Sequence, residues 1–206
     1  MLQSATVHPA TLALLKEVMQ RKDFQQFNLV GGTGLALQIG HRNSIDLDLF
    51  TAYDYDSTDI LQALQTMGNL DILINKPPFL QVRLNDVKMD FLKFPYPFVQ
   101  DYIEIEGIRL ATLENIAIMK LMAIARRGVK KDFIDLYFIL EHYSLAELVK
   151  IFKSKLPGID MFHILKSLTY FDDADPDADP KMFNKVTWPR IKQTISEKTN
   201  DFLRGY

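Results

Sequence analysis

The residue types that could do chemistry sit close together in the stretch VGGTGLALQIGHRNSIDLDLF, from Val30 to Phe50, where Gly31-Gly32 and Asp46-x-Asp48 are separated by thirteen residues. Those are the parts of a metal-dependent phosphoryl or nucleotidyl transfer site. Glycine lets a phosphate come close to the backbone, and the N–H groups at a helix start point at an anion in a favourable field. Thr33 adds a hydroxyl donor. Ile45-Asp46-Leu47-Asp48-Leu49-Phe50 alternates apolar and acidic residues, which as a strand places both carboxylates on one face. Two like charges on one face repel unless a cation lies between them. Mg2+ suits that position, because it accepts one or two carboxylates and leaves its other sites to water and substrate phosphates.

Several elements must position these groups. Phe27 to Val30 is a short apolar run that ends at the glycines, and Leu35, Ala36, Leu37 and Ile39 follow as a helix, so the order is strand, Gly-rich turn, helix. Phe79–Leu84 and Val87–Leu92 are period-two runs joined by Asn85-Asp86, a favoured hairpin turn, and Asp90 lies inside the second. Alone, Asp90 is more simply a solvent-facing strand residue; beside the first motif it becomes a third acidic site residue. Thr112 caps a helix in which Lys120 is the one charge of the apolar run Ile116 to Ala125. Its stem either lies along the core with the head in water, or the ammonium faces a partner. Asp132 and Asp135, three positions apart, share a helical face, and Lys131 is the expected partner of Asp135.

The pattern hydrophobic-Gly-Gly-x13-Asp-hydrophobic-Asp resembles the DNA polymerase β-like nucleotidyltransferase superfamily. The longer string GGTGLALQIGHRNSIDLDLF, with KKDFIDLYFIL downstream, resembles more narrowly the AbiEii/AbiGii toxin-type nucleotidyltransferase family over about residues 29–140, with weaker similarity through YFDDAD and VTWPRIK. The resemblance implies an enzyme that moves an NMP from an NTP to an acceptor hydroxyl and releases pyrophosphate. It implies that Asp46, Asp48 and Asp90 hold two Mg2+ ions, or Mn2+ in their place, with Asp90 either binding metal or taking the acceptor's proton. Gly31, Gly32 and Thr33 would hold phosphate and Lys120 would contact the triphosphate. Arg42 and Ser44 belong to a shared His-Arg-x-Ser stretch that neighbours the nucleotide or orders the loop. Asp132 and Asp135 belong to a required motif, and a catalytic role and a structural ion pair are both open for them. The acceptor implied first is a tRNA 3′ end and second a protein hydroxyl. The biological setting implied is a toxin-antitoxin or phage-defence (abortive infection) pair with a cognate antitoxin. The competing reading is a nucleotide-binding regulatory protein with the same fold and no turnover.

Composition sets the frame. At 206 residues and 48% hydrophobic, the chain can bury one full core or two small ones. It has no cysteine, which excludes disulfides and thiolate zinc sites. Neither a signal-peptide pattern nor an apolar run long enough for a membrane span is present, so a cytoplasmic protein is expected. Net charge is −2, but residues 1–110 carry −4 and 111–206 carry +2, the latter despite five aspartates in Asp172–Asp179. That acidic loop lacks the glycine and terminal glutamate of a calcium loop and is expected to be solvated. Arg126, Arg127, Lys130 and Lys131 are the expected contact for an RNA backbone. Periodicity predicts an α+β fold: a small mixed-sheet nucleotidyltransferase core over 1–110, then a helical region over 111–206, with the site in the groove between them. The predicted helices run over 9–21, 57–67, 112–127, 131–143, 145–155 behind a Ser144/Glu147 capping box, about 160–169, and 188–203, with a hairpin at 102–110 turning at Glu106-Gly107.

Overall fold

Alternation of buried and open positions along five-to-seven-residue runs builds one mixed sheet in the N-terminal part of the chain. The computed structural model describes residues 1–205, and the chain divides into two compact units, Met1–Thr112 and Leu113 onward. In the first unit the strands are β1 (Asn28–Leu29), β2 (Leu47–Thr51), β3 (Leu70–Lys76), β4 (Phe79–Leu84), β5 (Val87–Lys93), β6 (Tyr102–Ile105) and β7 (Ile108–Ala111). They are ordered β3-β4-β5-β2-β1-β7-β6. β2 runs parallel to β5 and antiparallel to β1, and β1 runs parallel to β7. Helices α1 (Pro9–Gln20), α2 (Gly31–Ile39) and α3 (Ser57–Gln65) complete the unit.

One face of the sheet is a hydrophobic core. Leu47 and Leu49 of β2, Leu80, Val82 and Leu84 of β4, and Met89 and Phe91 of β5 are fully buried there with Leu15 and Val18 of α1 and Ile60 and Leu64 of α3. Because side chains alternate across a strand, the residues between them point to the opposite face. Those are Asp48, Gln81, Arg83, Lys88 and Asp90, all at least partly open. Arg109 of β7 fastens the chain ahead of β1, donating to the carbonyl oxygens of Met19, Phe24 and Phe27 at 2.9–3.2 Å.

β3 is an element that periodicity missed. Its run LDILINK does not alternate, because a register shift between Ile72 and Ile74 inserts Leu73 as a bulge against β4. Both tight hairpins form as expected, with φ of 47° and 65° at Asn85-Asp86 and 53° and 77° at Glu106-Gly107, the left-handed pairs that match strand twist.

The second unit contains five helices among its described residues: α4 (Leu113–Arg127), α5 (Lys130–Ile139), α6 (Leu145–Lys155), α7 (Met161–Ser167) and α8 (Trp188–Arg204). The Ser144/Glu147 capping box is present, Ser144 Oγ accepting from the Glu147 N–H at 3.2 Å while Glu147 Oε2 accepts from the Ser144 N–H at 2.8 Å. α5 stops at Ile139, earlier than the predicted residue 143. Glu141 and His142 there donate to carbonyls three residues back, a tighter turn that delivers the chain to Ser144.

The acidic loop is not simply solvated. Asp175 accepts from the Trp188 indole N–H at 2.7 Å and from Lys192 at 2.8 Å. Lys130 donates to the carbonyl oxygens of Asp175 and Asp177 and pairs with Asp179 at 3.1 Å. The loop is therefore strapped to α5 and α8. No helix among the described residues is long and apolar enough to cross a membrane.

Candidate active site

Asp48 and Asp90 are brought side by side by strand pairing, since β2 and β5 are parallel neighbours with Asp48 in register with Asp90. Both are on the open face of the sheet. Asp46 lies just ahead of β2, which starts at Leu47 rather than at Ile45, and Ile45 is 62% exposed. The ladder thus fixes the position of Asp48 and leaves Asp46 to a different device. The Thr33 hydroxyl, fully buried, donates to the Asp46 carbonyl oxygen and shares a hydrogen bond with Ser44 Oγ at 2.8 Å. Expected as a phosphate donor, the Thr33 side chain is instead spent on holding Asp46 and Ser44 against the start of α2. Among the described residues no three carboxylate or imidazole groups close into a metal cage, so the expected Asp46-Asp48-Asp90 cluster is present as an in-register pair with Asp46 upstream.

The glycines make this closeness feasible. α2 begins at Gly31, two residues earlier than Thr33, and Gly31 adopts φ +67°. A Cβ there would lie 2.0 Å from Asp48 Oδ2, and one on Gly32 would lie 2.4 Å from Arg42 Nη2 and 3.2 Å from Ser44 Oγ. The first-turn N–H groups, which helix geometry leaves without intrahelical partners, are thus set beside Asp48 and beneath the Arg42 guanidinium. Arg42 is buried, its Nη1 donating to the Asn43 carbonyl oxygen at 3.0 Å. Gly31, Gly32, Thr33, Arg42, Ser44, Asp46, Asp48 and Asp90 therefore all gather in the first unit. Two clefts, of about 490 Å³ beside Tyr137 and Arg190 and about 440 Å³ beside Tyr55 and Asp56, include neither Asp48 nor Asp90.

The remaining expected residues form a second cluster, within the helical unit. Lys120 Nζ lies 2.8 Å from Asp132 Oδ1 and 2.5 Å from Asp135 Oδ2, with Lys120 only 5% exposed and both aspartates fully buried. Arg127 Nε adds a second cation to Asp132 at 2.8 Å. Burial pushes the Asp132 carboxyl up, but Lys120 and Arg127 outweigh it and hold its pKa below the ordinary value. The buried partner of Asp135 is Lys120 of α4, while Lys131 points to solvent. Of the four basic residues expected to meet RNA, Lys130 is buried under the acidic loop and Arg127 is engaged by Asp132.

Comparison with known proteins decides the family. A family model described as nucleotidyl transferase AbiEii toxin, type IV TA system, matches residues 13–204. The chain belongs to the AbiEii nucleotidyltransferase toxin family. An uncharacterised protein of Aquifex aeolicus is 33% identical over 197 residues, covering 93% of this chain and 95% of that one. Among solved structures, MenT4, a nucleotidyltransferase toxin from Mycobacterium tuberculosis, superposes with a TM-score of 0.64 at 16% identity over 92% of this chain and 80% of its own. JHP933 from Helicobacter pylori gives 0.53 at 18% identity over 97% and 96%. Those two likenesses are of fold.

Within this AbiEii chain the residues fit a hard divalent cation. The donors are carboxylate oxygens, they are presented as a pair on a partly open sheet face, and the N–H groups at the Gly31-Gly32 helix start adjoin Asp48. Sequence reasoning missed Gln81, whose Nε2 donates to Asp90 Oδ1 at 2.9 Å, and Lys88, 3.8 Å from Asp90 Oδ2. Gln81 is in register with Asp90 across the hairpin, a relation readable from the Asn85-Asp86 turn by counting outward. It also missed Arg127 as a partner of Asp132, since the two lie on different helices.

Proposed function

We propose that this protein transfers a nucleoside monophosphate from an NTP to an acceptor hydroxyl, with an RNA 3′ end such as that of tRNA as the acceptor, on the open sheet face that carries Asp48 and Asp90. The observation that carries the reading is the in-register Asp48–Asp90 pair in contact with the Gly31 turn. Transfer of this kind is mostly positioning and charge neutralisation. The N–H groups of Gly31 and Gly32 orient the triphosphate, Arg42 offsets its charge, and Gln81 holds one oxygen of Asp90 so that the other faces the reacting groups. Asp48 and Asp90, with Asp46, would hold Mg2+ or Mn2+, which when bound neutralises phosphate charge and makes the acceptor hydroxyl easier to ionise. The Lys120–Asp132–Asp135 cluster serves as the support of the helical unit: a triphosphate contact by Lys120 would require it to give up a buried carboxylate. The family description supports a cytoplasmic toxin with an antitoxin partner.

The test is incubation of the protein with Mg2+, each labelled NTP and total cellular RNA, followed by sizing of the product. Label in an RNA band, lost in Asp48→Asn and Asp90→Asn, is the expected outcome. NTP binding without label transfer to any acceptor would instead favour a regulatory nucleotide-binding protein.

A further inference from the structure

The open face of the sheet carries two cations that its own packing does not explain. Arg83 of β4 and Lys88 of β5 are directly opposite each other in the hairpin ladder. Like charges at opposed positions destabilise a strand pair, so a neutralising neighbour is expected. Arg83 is exposed and makes no ion pair among the described residues, although Asp71 of β3 is its register partner on the other side. Lys88 has one carboxylate within reach, Asp90 Oδ2 at 3.8 Å, and its side chain is 38% exposed. The rung Arg83–Lys88 is adjacent, on the same face, to the rung Gln81–Asp90. Two residues of strand separate them, about 7 Å.

We propose that Arg83 and Lys88 form a seat for a backbone phosphate of the acceptor RNA, next to Asp90. Two cations facing each other across a hairpin bind one anion from both sides, and the anion removes the repulsion between them. An RNA strand whose terminal hydroxyl lies at Asp90 passes over the next rung about one nucleotide back, where the cations stand. Arg suits phosphate by its planar fork of donors and Lys as a point charge. The segment of α4 and α5 first expected to meet RNA supplies less, because Lys130 is buried and Arg127 is held by Asp132. The inference rests on the reading of this sheet face as the transfer site and adds where the acceptor lies.

The experiment compares the full-length wild type with an Arg83→Gln/Lys88→Gln double variant and with a charge-conserving Arg83→Lys/Lys88→Arg variant. Fluorescence anisotropy of a dye-labelled oligoribonucleotide with a free 3′ hydroxyl is measured over a series of KCl concentrations. The Gln variant should bind at least about tenfold more weakly at 0.1 M salt, and its log–log salt slope should fall by about 0.7, one single-strand phosphate contact. The charge-conserving variant should keep most of the wild-type slope, and an Arg83→Gln single variant should show the wild-type thermal shift with NTP and Mg2+. A folded Gln variant with unchanged affinity and slope overturns the seat. So does a wild type that binds no RNA and labels only protein hydroxyls. RNA binding that depends on the two cations, in a protein that transfers no nucleotide, would leave the seat standing and sink the transfer reading. Label transfer to RNA with an unchanged acceptor KM in the Gln variant would do the opposite.

Discussion

At Gly31 one missing methyl group keeps two requirements compatible, a left-handed backbone and a carboxylate in contact with the chain. Gly31→Ala would strain a φ of +67° and place its Cβ 2.0 Å from Asp48 Oδ2. The expected result is a folded protein destabilised by about 1–3 kcal/mol, with nucleotidyl transfer reduced far more than that loss accounts for; urea denaturation alongside a label-transfer assay checks both. Lys120 answers the opposite need, since it neutralises two fully buried carboxylates. Lys120→Met should cost about 3–5 kcal/mol by removing the ammonium that both buried carboxylates share, and a variant of wild-type urea midpoint would refute that role. Asp132 adds a pH signature. Its folded pKa is depressed, so its share of stability is complete above the ordinary carboxylate range and is lost as pH falls through the lowered value. The stability advantage of wild type over Asp132→Asn should therefore shrink on acidification below about pH 4, as followed by unfolding at a series of pH values.

At the scale of elements, the β4–β5 hairpin carries most of the open face. Its turn pair Asn85-Asp86 sets the register that aligns Gln81 with Asp90 and Arg83 with Lys88. A one-residue slip would turn every one of these side chains into the core. Asn85 also ties the turn ahead of β3, accepting from the Asn69 N–H at 3.0 Å and donating to the Met67 carbonyl oxygen at 3.3 Å. The acidic loop is held by a similar economy of parts, one buried lysine bonded to its backbone and two residues of α8 bonded to Asp175. Lys130→Ala should release that loop while leaving the sheet unit unaffected. Limited proteolysis should then cut within residues 172–180, where the wild type resists, and equal cleavage of the two proteins would rule out the strap.

For the whole molecule, binding is linked to folding. A nucleotide and cation that bind the native site and not the unfolded chain stabilise by about 2.7 kcal/mol at a hundredfold excess over Kd. For a chain of this size that is a rise in Tm of about 5–10 °C. The shift should need NTP and Mg2+ together and should be absent in Asp48→Asn; a shift of the same size in that variant would place the nucleotide elsewhere.

What the sequence determined by itself lies where distance along the chain becomes distance in space. Asn28 to Thr51 is one strand-helix-strand passage, so Gly31, Gly32 and Asp48, near one another in the chain, are also near in space. Asn85-Asp86 likewise announced a hairpin with Asp90 inside it. Residues of this kind are tied by turns and ladders whose geometry is local. The partners of charges are chosen across the fold. Lys120 pairs with Asp132 and Asp135 because α4 and α5 pack together, Lys130 goes under the acidic loop and not to solvent, and Thr33 spends its hydroxyl on the Asp46 carbonyl. Pattern in the chain records which positions are apolar or acidic. Only tertiary packing decides which buried charge each one must neutralise, because an unpaired ion away from water costs more than any local preference can offset.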